Sequence, residues 1–237
     1  MSGKTKIEWT EVSWNPVTGC TKISDGCANC YAERLAKRLT AMHNPRYNNG
    51  FNVTVHDDLI TLPLEWKSPR KIFVNSMSDL FHEKVPDDII LRIFNTMNRC
   101  PQHIFQVLTK RPERMLELND KIAWTKNIWM GVTVESNKYL DRADILKKSN
   151  AQIKFISAEP LIGNIDDIDL NGIDWIIVGG ESGPHARPIE KNWVITIRDI
   201  AKENETAFFF KQWGGVNKKK NGRLLDGRTY DEYPNAE

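Results

Sequence analysis

The sequence predicts an α/β fold, a partial or complete (β/α) barrel of about six to eight mostly parallel strands. Three observations predict it. Short apolar, β-rich segments recur along the chain, helix-like stretches lie between them, and the near-continuous apolarity of the segments fits strands covered on both faces.

In chain order, an ill-defined first strand near residues 12–14 leads into a loop carrying three cysteines, and a helix over 31–42 follows. Residues 45–64, with the turn signal Asn48-Asn49-Gly50, read as an irregular insertion. Six more strands are expected at 72–77, 104–109, 128–134, 153–158, 175–180 and 207–211. Between them, residues 87–100 place Ile90, Ile93, Phe94, Met97 and Cys100 on one helical stripe, and 138–148 do the same with Leu140, Ala143 and Leu146. Pro86 before Asp87 and Asp88 marks a helix start, Pro101 a stop, and Pro112 the first turn of another helix. The order reads β, α, β, α throughout, with right-handed crossovers. At 237 residues the chain is expected to form a single domain over 1–237, its cysteine loop at 20–30.

Composition excludes several classes. Hydrophobic residues at 40% suffice for a sizeable core, so no disulfide framework is needed. The first twelve residues have no apolar run of signal type, and no stretch approaches a membrane span, which points to a cytoplasmic protein with no membrane partner. In a reducing compartment four cysteines suit metal ligation or plain thiols. Thirty-three Lys plus Arg against 31 Asp plus Glu leave a formal charge of +2, too little for a passive nucleic-acid coat. The run Lys218, Lys219, Lys220 with Arg223 and Arg228 is locally basic and reads as a solvated tail.

In β/α folds ligands bind at the carboxyl ends of the strands. Ser76, Ser78 and Asp79 follow the second strand, Lys110 and Arg111 the third, Glu135 and Ser136 the fourth, Glu159 the fifth, Glu181 and Ser182 the sixth, and Lys211 and Gln212 the seventh. Polar groups from six strand ends on one rim form a candidate site.

Cys20, Cys27 and Cys30 lie in a glycine-containing loop that runs into a helix. The two residues between Cys27 and Cys30 let both sulfurs face one centre, as in zinc sites and iron–sulfur clusters. Three ligands leave one iron of a [4Fe–4S] cluster open to a cofactor or substrate. A closed zinc site is the alternative, since His43 follows Cys30 after twelve intervening residues and completes a Cys₃His set; the protein is then a zinc-stabilised nucleic-acid-binding or adaptor protein. Cys100, on the helical stripe, reads as a buried core residue.

Other groups are candidates for substrate and cofactor contacts. Gly179 and Gly180 allow close backbone approach to a ligand. Glu159 and Glu181 suit ribose hydroxyls or amines, or salt bridges to Lys110 and Arg187. His185 and Arg187 suit a phosphate or carboxylate. Lys211, Gln212 and Trp213 offer a cation, an amide and an aromatic plate to a base. Trp9 and Trp14 read as packing residues beside the cysteine loop.

A three-cysteine loop after a first strand, followed by a helix and a β/α succession, resembles the radical S-adenosylmethionine enzymes. Six residues rather than three separate Cys20 from Cys27, and Asn29 stands where an aromatic often precedes the last cysteine. The strings IEWTEVSWNPVTGC, CANCYAERLAKR, VNSMSDLFHE, VLTKRPERM, WMGVTVES, ISAEPLIG, VGGESGPHARP and FFFKQWGG resemble a phage-derived family of unassigned function also found in bacterial genomes, and VNSMSD and VLTK distantly resemble spore photoproduct lyase. The resemblance implies a radical-SAM-like barrel with a [4Fe–4S] cluster on Cys20, Cys27 and Cys30. It implies S-adenosyl-L-methionine as the second cofactor, cleaved to a 5′-deoxyadenosyl radical that abstracts hydrogen from a modified base, nucleotide or DNA. An electron donor such as flavodoxin or ferredoxin is implied as partner. In that frame Ser76, Ser78 and Asp79 line the cofactor pocket, with Asp79 accepting from the methionyl ammonium, and Glu135, Glu159, Gly179, Gly180 and Glu181 stand around the same rim.

Overall fold

The computed structural model describes residues 3–235; the ends of the expected 1–237 domain, residues 1–2 and 236–237, lie outside the described residues. Its centre is an eight-stranded sheet whose spatial order follows the chain: β1 (Gly3–Lys4), β2 (Val12–Trp14), β5 (Lys71–Val74), β6 (Ile104–Thr109), β7 (Ile128–Thr133), β8 (Ile153–Ala158), β9 (Trp175–Gly179) and β10 (Ala207–Gln212). β1 runs antiparallel to β2, and every later pairing is parallel. An order that never reverses is that of a barrel wall rather than a doubly wound sheet. β10 pairs with β9 alone among the sheet strands, so the barrel is partial. A separate small ladder joins β3 (Val17–Thr18) to β4 (Thr54–Val55), inside the 45–64 segment read as irregular.

The helices pack on the outer face. α1 (Tyr31–Ala41) follows the cysteine loop, and α2 (Asp57–Ile60) is one short turn. α3 (Asp87–Asn98) begins at Pro86 and buries Ile90, Ile93, Phe94 and Met97 as its stripe requires, while Cys100 sits just past its end, fully buried. α4 (Pro112–Glu117) has its proline in the first turn, where no amide donor is needed. α5 (Asp141–Lys147) is shorter than expected because residues 137–139 form a tighter 3₁₀ turn. α6 (Lys191–Glu203) precedes β10, and α7 (Lys218–Asn221) follows it. One expectation fails: no helix connects β8 to β9. Ile165, Ile168, Leu170 and Ile173 of that irregular segment enter the outer core where a helix would lie, which satisfies the same apolar surface.

Alternation along the strands separates two cores. Ile72, Val74, Val107, Met130, Ile156 and Val178 face the helices. Phe73, Trp129, Phe155, Trp175, Ile177 and Phe209 point inward with Trp9 and fill the barrel. Gly131 makes room for this packing, since a Cβ there would stand 2.4 Å from the Phe155 ring. The C-terminal segment closes the amino end of the barrel. Tyr233 packs on Trp175 (5.1 Å between centroids) and lies under Lys71 Nζ (3.8 Å). Aromatic side chains therefore fill the lower barrel and leave its upper mouth open. No helix among the described residues is long and apolar enough to cross a membrane.

Candidate active site at the barrel mouth

The cysteine loop lies across the carboxyl ends of the strands, held there by several of them. Gly19 N donates to Met77 O (2.9 Å) and Cys20 N to Phe51 O (3.1 Å). Gly19 takes φ +86°, and a Cβ there would lie 2.1 Å from Asn52 O, so only glycine fits. Thr21 O and Oγ1 accept from Arg111 after β6. Ser24 Oγ donates to Glu135 after β7, Asp25 N donates to the Tyr139 hydroxyl (2.9 Å), and Arg187 donates to Asp25 O (3.0 Å). Asn29 Nδ2 donates to Glu181 after β9 (3.0 Å), and the Tyr31 hydroxyl donates to Ser76 O (2.5 Å). Strands β5, β6, β7 and β9 thus each fix one part of the loop.

Beneath the loop is a cavity of about 620 Å³, within the range of small-molecule sites. Cys20, Cys27 and Cys30 all line it. So do Trp9, Phe73 and Leu108 from the apolar floor, and Ser76, Ser78, Asp79, Lys110, Glu159, Gly180, Glu181, Lys211 and Gln212 from the rim. A larger groove of about 910 Å³ lies at the opposite end, beside α6, and holds none of the cysteines.

Several sequence-based assignments are corrected. Glu135 does not stand on the rim. It is fully buried beneath the loop, where it accepts from Arg142 (2.8 Å) and Ser24 and pairs with Lys110 Nζ (3.3 Å). Asp79 lines the cavity, but its carboxylate has no room for a cofactor ammonium. Oδ1 accepts from Phe81 N and Thr109 Oγ1, and Oδ2 from Lys110 N and Arg111 Nη1, which fills its acceptor sites. Glu159 pairs with Lys211 (3.0 Å) rather than Lys110. Glu181 pairs with Arg187 as expected (2.6 Å), so the Arg187 fork is already engaged. Gly179, His185, Arg187 and Trp213 lie off the cavity wall. Gly179 packs against Glu159, and Trp213 turns its Nε1 to Leu224 O and its ring to Phe210.

The structure adds residues that the sequence did not single out for the site. Trp9 Nε1 donates to Glu159 Oε2 (3.1 Å), and Ser157 Oγ donates to the same oxygen (3.2 Å). Trp9 is thus both a packing residue and a cavity residue. Trp14 is packing alone, buried with its Nε1 on Leu59 O. Asn75, at φ +59°, anchors the turn after β5 by accepting from Val17 N, and it ends that strand three residues earlier than expected.

The thiols differ in their surroundings. Burial pushes the Cys20 thiol up to about 11, the Asp79 charge adding to it and Arg111 opposing. Burial also raises Cys27, but the Ser24 hydroxyl, the Ile23 and Ser24 backbone groups and Lys110 outweigh it and hold that thiol below its ordinary value. Burial pushes Glu181 up, yet hydrogen bonds from Arg187 and Asn29 prevail and hold its carboxyl at about 2.

The donor set bears on the two metal centres expected from the sequence. His43 cannot join the cysteines: Cys30 caps the start of α1 and His43 lies beyond its end, about 16 Å along eleven residues. The Cys₃His zinc site is therefore corrected. Among the described residues no three His, Cys, Asp or Glu side chains converge on one ion, the three cysteines included. Cys20, Cys27 and Cys30 all line the cavity, so these three thiols are the side chains available to hold a metal group there.

A partial (β/α) barrel with a three-cysteine loop strapped over its carboxyl-end cavity defines the class: an α/β barrel protein with a cavity at the strand ends as its candidate site. The chain belongs to the family described as "Protein of unknown function (DUF5131)", whose model matches residues 4–234. No curated protein matches it. Among solved structures it is similar to a doubly substituted variant of spore photoproduct lyase with bound AdoMet and dinucleoside spore photoproduct. That match has a TM-score of 0.52 and 11% identity, and covers 86% of this chain and 64% of the lyase. A singly substituted variant with the dinucleoside spore photoproduct matches at TM-score 0.52 and 10% identity over the same shares. The chain thus spans less than two thirds of the length of these lyases, and the likeness is one of fold.

Proposed function

We propose that the protein is a radical S-adenosylmethionine enzyme acting on a base of a nucleotide or nucleic acid. The observation that carries this reading is the position of Cys20, Cys27 and Cys30, which all line the cavity at the strand carboxyl ends of a barrel similar in fold to spore photoproduct lyase. Cys20, Cys27 and Cys30 would hold a [4Fe–4S] cluster, which, once reduced by an external one-electron donor, would supply the electron for reductive cleavage of S-adenosylmethionine and so the radical chemistry at the substrate.

The chain's own residues bind, orient and exclude water. Lys110 and Arg111 lie beside the loop, and the eleven-residue helix α1 directs its amino end at Cys30; both offset the negative charge of thiolates. Glu159, fixed by Trp9, Ser157 and Lys211, presents a carboxylate to ribose hydroxyls or an amine. Gly180 lets the backbone of Trp213 pack against the end of β9, where a Cβ would stand 2.2 Å from Trp213 O, and Ser76 and Ser78 line the same cavity with their hydroxyls turned to Asn15 and Val17. Trp9, Phe73 and Leu108 form the apolar floor that receives a base and keeps water out.

Anaerobic reconstitution tests this reading. The protein is expected to be brown and to hold about four irons and four sulfides per chain. Alanine at Cys20, Cys27 or Cys30 abolishes incorporation, and Cys100→Ala retains it. With dithionite, the loaded protein yields 5′-deoxyadenosine from S-adenosylmethionine. A loaded protein that neither cleaves nor binds S-adenosylmethionine overturns the radical reading.

A further inference from the structure

The loop after β10 stands at the edge of the cavity with a distribution of charge that the cavity itself lacks. Its neck is closed by Trp213 N on Gly222 O (3.1 Å) and Asn221 Nδ2 on Gly214 O (2.8 Å). Gly214 and Gly215, at φ +74° and +84°, press it against the end of β9, where a Cβ on Gly214 would lie 2.2 Å from Glu181 O. Gly215, Val216 and Lys218 line the cavity mouth, and Lys218 Nζ reaches Glu8 (3.1 Å) on the N-terminal segment that lines it too. Beyond them Lys219 and Lys220 are exposed, and among the described residues neither has an acidic partner. Val216, also at the mouth, is 78% exposed.

Inside, every cation at the strand ends faces a carboxylate: Lys110 faces Glu135, Arg111 faces Asp79 and Lys211 faces Glu159. Outside, Lys219 and Lys220 have no acidic partner among the described residues, and Arg34 on α1, which also lines the cavity, donates its guanidinium only to the carbonyls of Ser182 and Pro184. A phosphate therefore finds its free cations at the rim, while a base finds its apolar surface within. That division suits a base drawn out of a strand whose backbone stays at the surface.

We propose that loop 213–222 docks the phosphate backbone of a polynucleotide, so that the substrate is a base within a strand rather than a free nucleotide. This rests on the reading of the cavity as a nucleobase site. Lys219 and Lys220 hold phosphates, Arg34, against the Ser182–Gly183 segment that pairs with Gly215, adds a third cation beside the loop, and Val216 meets the face of the base next to the one drawn in.

Fluorescence anisotropy with labelled single-stranded DNA and RNA of one sequence, about 12 nucleotides long, tests it. Wild-type protein is expected to bind at least one of the two, and the arm that binds identifies the sugar. Lys219→Gln with Lys220→Gln weakens binding by about tenfold and flattens the dependence of log K on log salt by about 1.4, the loss of two single-strand phosphate contacts. The control pair Lys126→Gln with Lys202→Gln, at the amino end of the barrel, leaves both unchanged. Equal weakening in both pairs, or no binding by the wild type, overturns the proposal. Iron content and cofactor cleavage without nucleic acid are measured on the same preparations and stay unchanged in the loop variant. If they succeed while docking fails, the loop proposal alone falls. If lysine-dependent binding survives without cluster or cleavage, the radical reading falls instead.

Discussion

Arg111 Nη1 lies 3.7 Å from Cys20 Sγ while its other nitrogens hold Thr21 and Glu83 and the same Nη1 holds Asp79. One guanidinium after β6 thus ties together a candidate cluster ligand, the residue after it and the segment that follows β5. Its planar fork makes this possible, and lysine has no equivalent.

Arg111 is accordingly a positioning residue. A cation beside a ligand sulfur favours the reduced cluster. In reconstituted Arg111→Gln the midpoint potential is expected to fall by on the order of 60 mV, the one-electron equivalent of about 1.4 kcal/mol. Arg111→Lys recovers part of that shift. Potentiometric titration followed by electron paramagnetic resonance reads it, and an unchanged potential refutes the role.

Gly26 lies against Glu135, and a Cβ there would stand 2.5 Å from its Oε1 and 2.6 Å from its Cγ. Glu135 cannot retreat, being buried and tied to Arg142 and Lys110. Gly26→Ala should therefore displace the loop between Cys20 and Cys27. Most of the iron is expected to be lost, while stability falls by only about 1–3 kcal/mol, as for a local overpacking. Iron analysis beside thermal unfolding separates the two.

The Glu181 carboxyl titrates at about 2 in the folded protein, below its ordinary 4.5. A depressed acid pKa contributes stability that is present above the unfolded value and is lost as pH falls towards the folded one. Wild-type stability should fall between pH 4.5 and about 2, and Glu181→Gln should lose less across that window. Urea midpoints at about pH 5.5 and pH 3 compare the two slopes, and parallel slopes refute the assignment.

In the metal-free protein the thiols should react in a set order. Cys27, held below its ordinary value, carries more thiolate than Cys20, raised to about 11. Cys27 should be alkylated at least about tenfold faster at pH 8. Cys100, fully buried and pushed up by burial, should stay unmodified until the protein unfolds. Mass spectrometry of timed iodoacetamide reactions reads the order, and faster labelling of Cys20 contradicts it.

Most of the strand framework was legible in the sequence because a strand covered on both faces must be apolar along its length. The segments that became β6 to β10 carry that signature. The β8–β9 connection breaks the expected alternation because an irregular segment carrying Ile165, Ile168 and Ile173 covers the sheet as a helix would. The three cysteines were legible for a local reason: their spacing alone brings them into one loop.

Partnership was not legible, because it depends on which strand ends meet. Chain position marked Glu135 and Asp79 as free rim groups, and only the barrel's curvature showed them already paired with Arg142 and Arg111. Trp9 reaches Glu159 across 150 positions, a contact that no local pattern encodes. By itself the sequence determined the strand order, the helical faces and the cysteine loop, since each follows from neighbouring residues. Only the tertiary structure decided which charges neutralise one another and which remain free at the mouth, because electrostatic pairing depends on distance in space.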